Sequence, residues 1–148
     1  MNFDEALAGS TTLDEALSSA LKVIAYRKGN QSRVVYVAGP ISSAGEHKIV
    51  ENIERLMEFQ RALARELGEG AFVFASPSIF TPDIYERLRI FEMPRDERED
   101  QLRKFLDTVI ESKHLDGVYF TPGWERSIGA RREHETALRV GVPITLLS

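Results

Sequence analysis

Arg33-Val34-Val35-Tyr36-Val37-Ala38-Gly39-Pro40 is a short run of β-branched and apolar residues stopped by a glycine and a proline. Five successive positions carry no charge, so both faces of the segment are apolar. A strand of that kind is buried on both sides, as in parallel sheets covered by helices. Gly39-Pro40 then breaks it, because proline cannot continue a ladder and glycine permits a sharp exit.

Working outward, the same unit recurs. A helical stretch is predicted from about His47 to Leu67, with Ile49, Val50, Ile53, Leu56, Met57, Leu63 and Leu67 as its apolar set and Gly68 and Gly70 closing it. Ala71 to Ala75 reads as a second strand, broken at Ser76-Pro77. Residues 76–94 carry Phe80, Tyr85, Phe91 and Met93 among three prolines and read as irregular or partly helical. A charged helix is predicted from Arg95 to Ser112, with Leu102, Phe105, Leu106, Val109 and Ile110 on one side. Asp116 to Phe120 is the third strand, stopped by Thr121-Pro122-Gly123. A helix from Ser127 and a last strand over Pro143 to Leu147 complete the chain. Strand and helix alternate, which implies a parallel sheet of four to five strands with helices on both faces, an α/β fold. Before the first strand, Asn2/Glu5 and Thr12/Glu15 have capping-box spacing. A stripe through Ala16, Leu17, Ala20, Leu21 and Ile24 follows, ending at Gly29-Asn30. Residues 1–30 are therefore an N-terminal helical extension that packs on the body or on a second subunit, and residues 31–148 are the main domain.

Composition narrows the function classes. A formal net charge of -4 argues against a nucleic-acid polymer as partner, since such binders are normally basic. The absence of cysteine excludes disulfides, thiolate catalysis and Cys-ligated metals, and fits a cytoplasmic protein. His47, His114 and His134 lack ligand spacing, so no metal is expected. No apolar run approaches the roughly 20 residues of a membrane span. The N-terminus, with Asp4 and Glu5, does not read as a secretion signal.

In such sheets the site lies at the carboxyl ends of the strands, near the switch in strand order. Three loops leave those ends: Gly39-Pro40-Ile41-Ser42-Ser43, Ser76-Pro77-Ser78, and Thr121 to Ser127. The last opens Gly123-Trp124-Glu125-Arg126-Ser127-Ile128-Gly129-Ala130-Arg131-Arg132-Glu133. With Ser127 as N-cap and an advance of about 100° per residue, Gly129, Ala130, Ala137 and Val140 share one face. Arg131, Arg132, Glu135 and Arg139 share the opposite one, where Glu135 is read as solvated. Glu133 then projects among the small residues, where an unpaired charge is costly. It is either a carboxylate beside a pocket or the partner of an arginine from another element.

Other candidates have two readings each. Backbone N–H groups of the Gly39 loop, with Ser42 or Ser43, could cradle a phosphate or a sugar hydroxyl, or the loop is a plain turn. Trp124 could stack on a planar ligand or simply pack. Arg126, Arg131 and Arg132 could hold phosphate or pair with Glu125 and Glu135. Phe80, Tyr85 and Phe91 could wall a pocket for a flat ring or pack the long connection down.

Together, Tyr36-Val37-Ala38-Gly39-Pro40-Ile41-Ser42, the middle Ser-Pro and the Gly-Trp-Glu-Arg-Ser-Ile-Gly-Ala-Arg-Arg-Glu segment resemble the nucleoside 2-deoxyribosyltransferase superfamily, over residues 33–147. That superfamily includes nucleoside 5′-monophosphate N-glycosidases. The resemblance implies a flavodoxin-like or Rossmann-like three-layer sandwich, a glutamate nucleophile at Glu133, and no metal or redox cofactor. It implies a nucleoside or nucleotide substrate held by Gly39, Pro40, Ile41, Ser42, Ser76, Pro77, Gly123, Trp124, Ser127 and Gly129. The superfamily's transferases usually carry an acidic residue where Ser127 falls, whereas its nucleotide hydrolases can carry serine, so hydrolysis is the expected outcome over base exchange. It also implies an assisting aspartate, for which Asp107 is nearest. A helical projection puts Asp107 about 130° from the Leu102–Phe105–Leu106–Val109 face, with Thr108 in the expected position. Asp100 and Asp83 are the alternatives. Relatives of this fold form dimers in which a neighbour completes the pocket, so a homodimer or higher homo-oligomer is expected. Two other readings stay open: a nucleotide-binding module without chemistry, and an interaction domain assembled through its prefix helix.

Overall fold

The computed structural model describes residues 1–31, 33–42 and 46–148. Ser43 and its two successors lie outside the described residues. In chain order the elements are α1 (Phe3–Leu7), α2 (Leu13–Asn30), β1 (Arg33–Ala38), α3 (Ile49–Leu67), β2 (Ala71–Ala75), α4 (Ser76–Ile79), α5 (Pro82–Arg87), α6 (Arg95–Glu111), β3 (Gly117–Phe120), α7 (Ile128–Val140) and β4 (Ile144–Leu146). Short 3-10 turns occupy Glu46–Lys48, Ile90–Glu92 and Trp124–Arg126.

The four strands form one parallel sheet in the order β2-β1-β3-β4, a three-layer α/β sandwich of flavodoxin or Rossmann type. β1 is central, pairing Tyr36 with Phe74 on one side and with Val118 on the other. Its alternation sends Val35 and Val37 to one face, where they pack with Val73, Ala75, Leu56 and Leu63 beneath α3. Val34, Tyr36 and Ala38 point to the other face, which α1, α2, α6 and α7 cover. Because β1 connects to β2 over one face and β3 to β4 over the other, the strand order reverses between β1 and β3. The chain leaves the neighbouring carboxyl ends of those two strands in opposite directions, which opens the crevice where such folds bind ligands.

The N-terminal helices pack on the body. Phe3 lies 5.4 Å from the Phe74 ring, and Ala16, Ala20, Val23 and Ile24 are fully buried in the same core as Tyr36 and Phe120. Local caps set their limits. The Asn2 side chain accepts the Glu5 N–H at 2.9 Å, and the Thr12 hydroxyl accepts the Glu15 N–H at 3.1 Å.

Residues 76–94 are not irregular. They hold α4, α5 and a 3-10 turn, started by a serine that caps backwards (Ser78 Oγ accepts the Ala75 N–H at 3.0 Å) and by Thr81 before Pro82. An aromatic ladder anchors the segment: Phe105 against Phe80 at 4.7 Å, Phe80 against Tyr85 at 6.0 Å, and Tyr85 stacked on Phe91 at 4.9 Å. Arg98 lies over the Phe91 ring; Phe80 is buried and packs the segment down, while Phe91 is largely exposed at the outer end of the ladder. No helix among the described residues is long and apolar enough to cross a membrane.

Candidate active site

Helix α7 begins where Ser127 Oγ accepts the Ala130 N–H at 3.2 Å and ends at Gly141, whose φ of 81° suits glycine. That frame fixes which side chains turn inward: Ala130, Glu133, Thr136 and Ala137 are buried. Glu133 is 8% exposed, and its Oε2 has no hydrogen-bond partner among the described residues. No arginine or lysine pairs with it there; the neighbouring Arg132 turns to a different carboxylate. Burial pushes the Glu133 carboxyl up to about 7, opposed by the Tyr36 phenol and reinforced by the charge of Asp107. The phenol is close enough to bear on the carboxyl, yet its geometry completes no bond to Oε2.

Tyr36 is the residue that a reading of the sequence alone overlooks. It is 1% exposed in the middle of β1. Burial, then the adjacent Glu133 charge, holds its hydroxyl well above the ordinary phenol value, while the Ser76 hydroxyl pulls the other way. Its signal was present: the lone hydroxyl in an apolar strand must find a polar partner when buried. Ser76, at the end of β2, is buried and belongs to this polar cluster.

Asp107 belongs to it as well. Its side chain is only 18% exposed and sits against α7. Thr136 Oγ1 donates to Asp107 Oδ1 at 3.0 Å, and Arg132 Nη2 approaches Oδ2 at 3.4 Å. The projection that set Asp107 away from the apolar face of α6 is consistent with this, because α6 has two buried sides. Phe105, Val109 and Ile110 meet the core and Asp107 meets α7. Thr108 takes no part; its hydroxyl donates to the Lys104 carbonyl of its own helix. The alternative acids are surface groups, Asp100 paired with Lys104 and Asp83 with Arg87. Arg132, expected to hold phosphate or to pair with Glu125 or Glu135, leans onto Asp107 instead. Between α6 and α7 lies a cleft of about 350 Å³ lined by Asp107, Arg132, Glu135, Thr136 and Arg139.

The remaining candidates fall into two groups. Around the strand ends, Gly39 is buried, and a Cβ there would stand 2.1 Å from Thr121 Oγ1. This close approach of β1 and β3 requires glycine whether or not a ligand comes near. Pro40 and Ile41 are half-buried and Ser42 is exposed. The Ile41 carbonyl is tied to α3 by Asn52 Nδ2 at 2.8 Å. Pro77 is half-buried in the first turn of α4. In the second group, Gly123 has φ 88° and starts the 3-10 turn that carries Trp124. One face of Trp124 is stacked on His134 (4.3 Å, 14°) and the ring also meets Phe120, so that face packs rather than binding a ligand. Ser127 is the helix cap, and Gly129 is half-buried beside it. Arg126 and Arg131 are exposed. Among the described residues no group of three or more His, Asp or Glu is placed to hold a metal ion.

The arrangement holds two carboxylates, a phenol and two hydroxyls at the layer between α6, α7 and the sheet. A buried carboxyl near half-ionisation can take or give a proton, or meet developing positive charge with little competing solvation. Neither a curated protein nor a solved structure matches this chain. Residues 33–146, from the first residue of β1 to the last of β4, match the family model described as a domain of unknown function (DUF4406). The matched segment takes in the sheet, α3 to α7 and every candidate site residue and leaves α1 and α2 outside, and the chain belongs to the DUF4406 family.

Proposed function

We propose that this protein cleaves the N-glycosidic bond of a nucleoside 5′-monophosphate or nucleoside, with Glu133 as nucleophile. The observation that carries the proposal is the inward carboxylate, 8% exposed, with an oxygen that has no hydrogen-bond partner and with no ion pair among the described residues. A charge so poorly compensated gains most from a ligand that becomes positive beside it. As the bond from sugar C1′ to the base nitrogen breaks, the electron pair leaves with the base and C1′ turns cationic. A Glu133 oxygen then bonds to C1′. A water beside Asp107 gives the base the proton it needs, because Asp107 itself accepts from Thr136 and Arg132. Water, or a second base in transfer, attacks C1′ and frees the carboxylate with overall retention. Hydrolysis is preferred to transfer on the resemblance alone, since the transferases it resembles usually carry an acidic residue at the position of Ser127 and the nucleotide hydrolases can carry serine.

The test is direct. Wild-type protein is incubated with a panel of nucleosides and nucleotides, and free base is followed by chromatography. Glu133→Ala is expected to abolish release while the far-ultraviolet spectrum stays unchanged. Wild-type turnover in that variant, or no release from any substrate, refutes the proposal.

A second reading, a nucleotide-binding module without chemistry, is favoured by one observation: neither of the described clefts is lined by Glu133. A nucleotide-dependent rise in Tm without base release would select it. We also infer that copies associate, since Ile128 and Leu138 on α7 and Leu146 on the edge strand β4 are more than half exposed. A monomeric mass in sedimentation at micromolar concentration would exclude that. Cytoplasmic residence is inferred from the cysteine-free composition alone.

A further inference from the structure

Ile128, Arg131, Glu135 and Leu138 follow one another on α7 at the three-four-three spacing of a seam along one side of a helix. At about 100° per residue the four fall within roughly 80° of one another. All four are exposed, the isoleucine at 60% and the leucine at 63%. The seam lies almost opposite Ala130, Glu133, Thr136 and Ala137, the residues that α7 buries. Two other charges of α7 are already committed to α6, Arg132 to Asp107 and Arg139 to Glu111. Arg131 and Glu135 form no ion pair among the described residues, although they stand one turn apart; basic before acidic is the weaker order for such a pair.

The order of residues along the seam is complementary to itself. Read from either end it runs aliphatic, charged, charged, aliphatic, and the two charges are opposite. Ile128 and Leu138 are centred on residue 133, and so are Arg131 and Glu135. An antiparallel α7 from a second copy, in register at residue 133, therefore sets aliphatic on aliphatic and arginine on glutamate, each contact occurring twice. A parallel alignment sets arginine on arginine and glutamate on glutamate.

We propose that this face is the interface of a homodimer in which two α7 helices pair antiparallel about a two-fold axis, Ile128 against Leu138 and Arg131 against Glu135. The proposal rests on the inference that copies associate and on nothing in the glycosidase chemistry. The occupant is a second copy because both the apolar ends and the charges find their partners in an identical chain. The aliphatic ends supply the apolar burial. The exposed charge pairs chiefly fix register and direction, and salt weakens them. Glu133 points away from the axis, so the neighbour covers the side of α7 opposite the carboxyl.

The experiment is sedimentation equilibrium of the full chain, in which the wild type is expected to be a dimer at micromolar concentration. Arg131→Glu opposes glutamates twice and Glu135→Arg opposes arginines twice, so each variant alone is expected to dimerise at least about tenfold more weakly. An equimolar mixture of the two has opposite charges at both contacts and is expected to regain the dimer. Because the chain has no cysteine, Ile128→Cys and Leu138→Cys give a second measurement. Mixed under mild oxidation they form an interchain disulfide, whereas either variant alone, its two sulfurs about 15 Å apart along the helices, does not. All four positions are exposed, so none of these changes removes a core contact. A dimer indifferent to both charge reversals, or one lost in each variant and not regained in the mixture, overturns this pairing and leaves association through another face standing. A monomer at every concentration overturns the pairing and the association together, and leaves the glycosidase proposal as it was.

Discussion

The Cβ position of Gly39 lies 2.1 Å from Thr121 Oγ1, and Leu56 Cδ1 closes the same space at 3.4 Å. Residue 39 follows β1 and residue 121 follows β3, so this contact sits at the reversal of strand order. Thr121 is 1% exposed and its N–H donates to the Ala38 carbonyl at 2.9 Å, which leaves it little freedom to retreat. Gly39→Ala is therefore expected to cost about 1–3 kcal/mol and to lower Tm by roughly 3–10 °C. Adding Thr121→Ala recovers part of that loss in a double-mutant cycle. Additive losses would mean that the two side chains do not collide.

The stability of the protein is expected to fall as pH rises through the acid-to-neutral range. Glu133 holds its proton to about 7 in the folded chain against an ordinary value of 4.5. Below 4.5 the group is neutral in both states and contributes nothing. Between 4.5 and 7 the folded state binds the extra proton, so each step up in pH erodes stability, and above 7 the full cost of about 3 kcal/mol is present. Glu133→Gln removes the charge at nearly constant volume. It is expected to be more stable than the wild type by about 1–3 kcal/mol at pH 8, the difference vanishing near pH 4. Urea titrations at the two pH values check this; equal stabilities at pH 8 would show that the carboxylate is well solvated.

A nucleophilic carboxylate must be ionised. Under the proposed chemistry, kcat/KM rises with pH and levels off near 7, where Glu133 loses its proton. Tyr36→Phe removes the phenol that favours the charged form, so the rise is expected to move to higher pH and the plateau to drop. A Tyr36→Phe profile shifted to lower pH, or unshifted, contradicts the assigned role of the phenol.

At the other end of the sheet, Asp116 Oδ2 accepts the Val34 N–H at 2.8 Å while Oδ1 pairs with Lys28. Partial burial works against the charge, but the Lys28 hydrogen bond, the Val34 N–H and the charges of Lys28 and Arg33 prevail and hold the carboxyl below its ordinary value of 3.8. Its contribution is thus present above that value and is lost as pH falls through the lowered one. Asp116→Ala leaves a backbone donor of the central strand unmet and is expected to cost about 1–2 kcal/mol at pH 7. A Tm unchanged at pH 7 would sink this assignment.

Much of this architecture is legible in local pattern. The doubly apolar run from Val34 to Ala38, the stops at Gly-Pro, Ser-Pro and Thr-Pro-Gly, and the intervening helical periods fix a parallel sheet with helices on both faces. In residues 76–94 the signal was there but easily missed: Thr81-Pro82 is a cap followed by a first-turn proline, and the helix it starts is only six residues long. The inward turn of Glu133 is legible too, because the Ser127 cap sets the phase of α7 and 3.6 residues per turn do the rest.

The sequence alone thus determines which segments become strands or helices and which way α7 points its glutamate, because these follow from periodicities and caps acting over a few residues. What Glu133 meets there was decided only by the tertiary structure. Tyr36 comes from a strand far earlier in the chain, and Asp107 reaches α7 from a side of α6 that no single apolar stripe marks. A helical projection has one reference face, whereas α6 is docked on two surfaces at once. The docking of that helix, in which Phe105, Val109 and Ile110 fill the core, is what brings Asp107 onto Thr136 and Arg132 of α7.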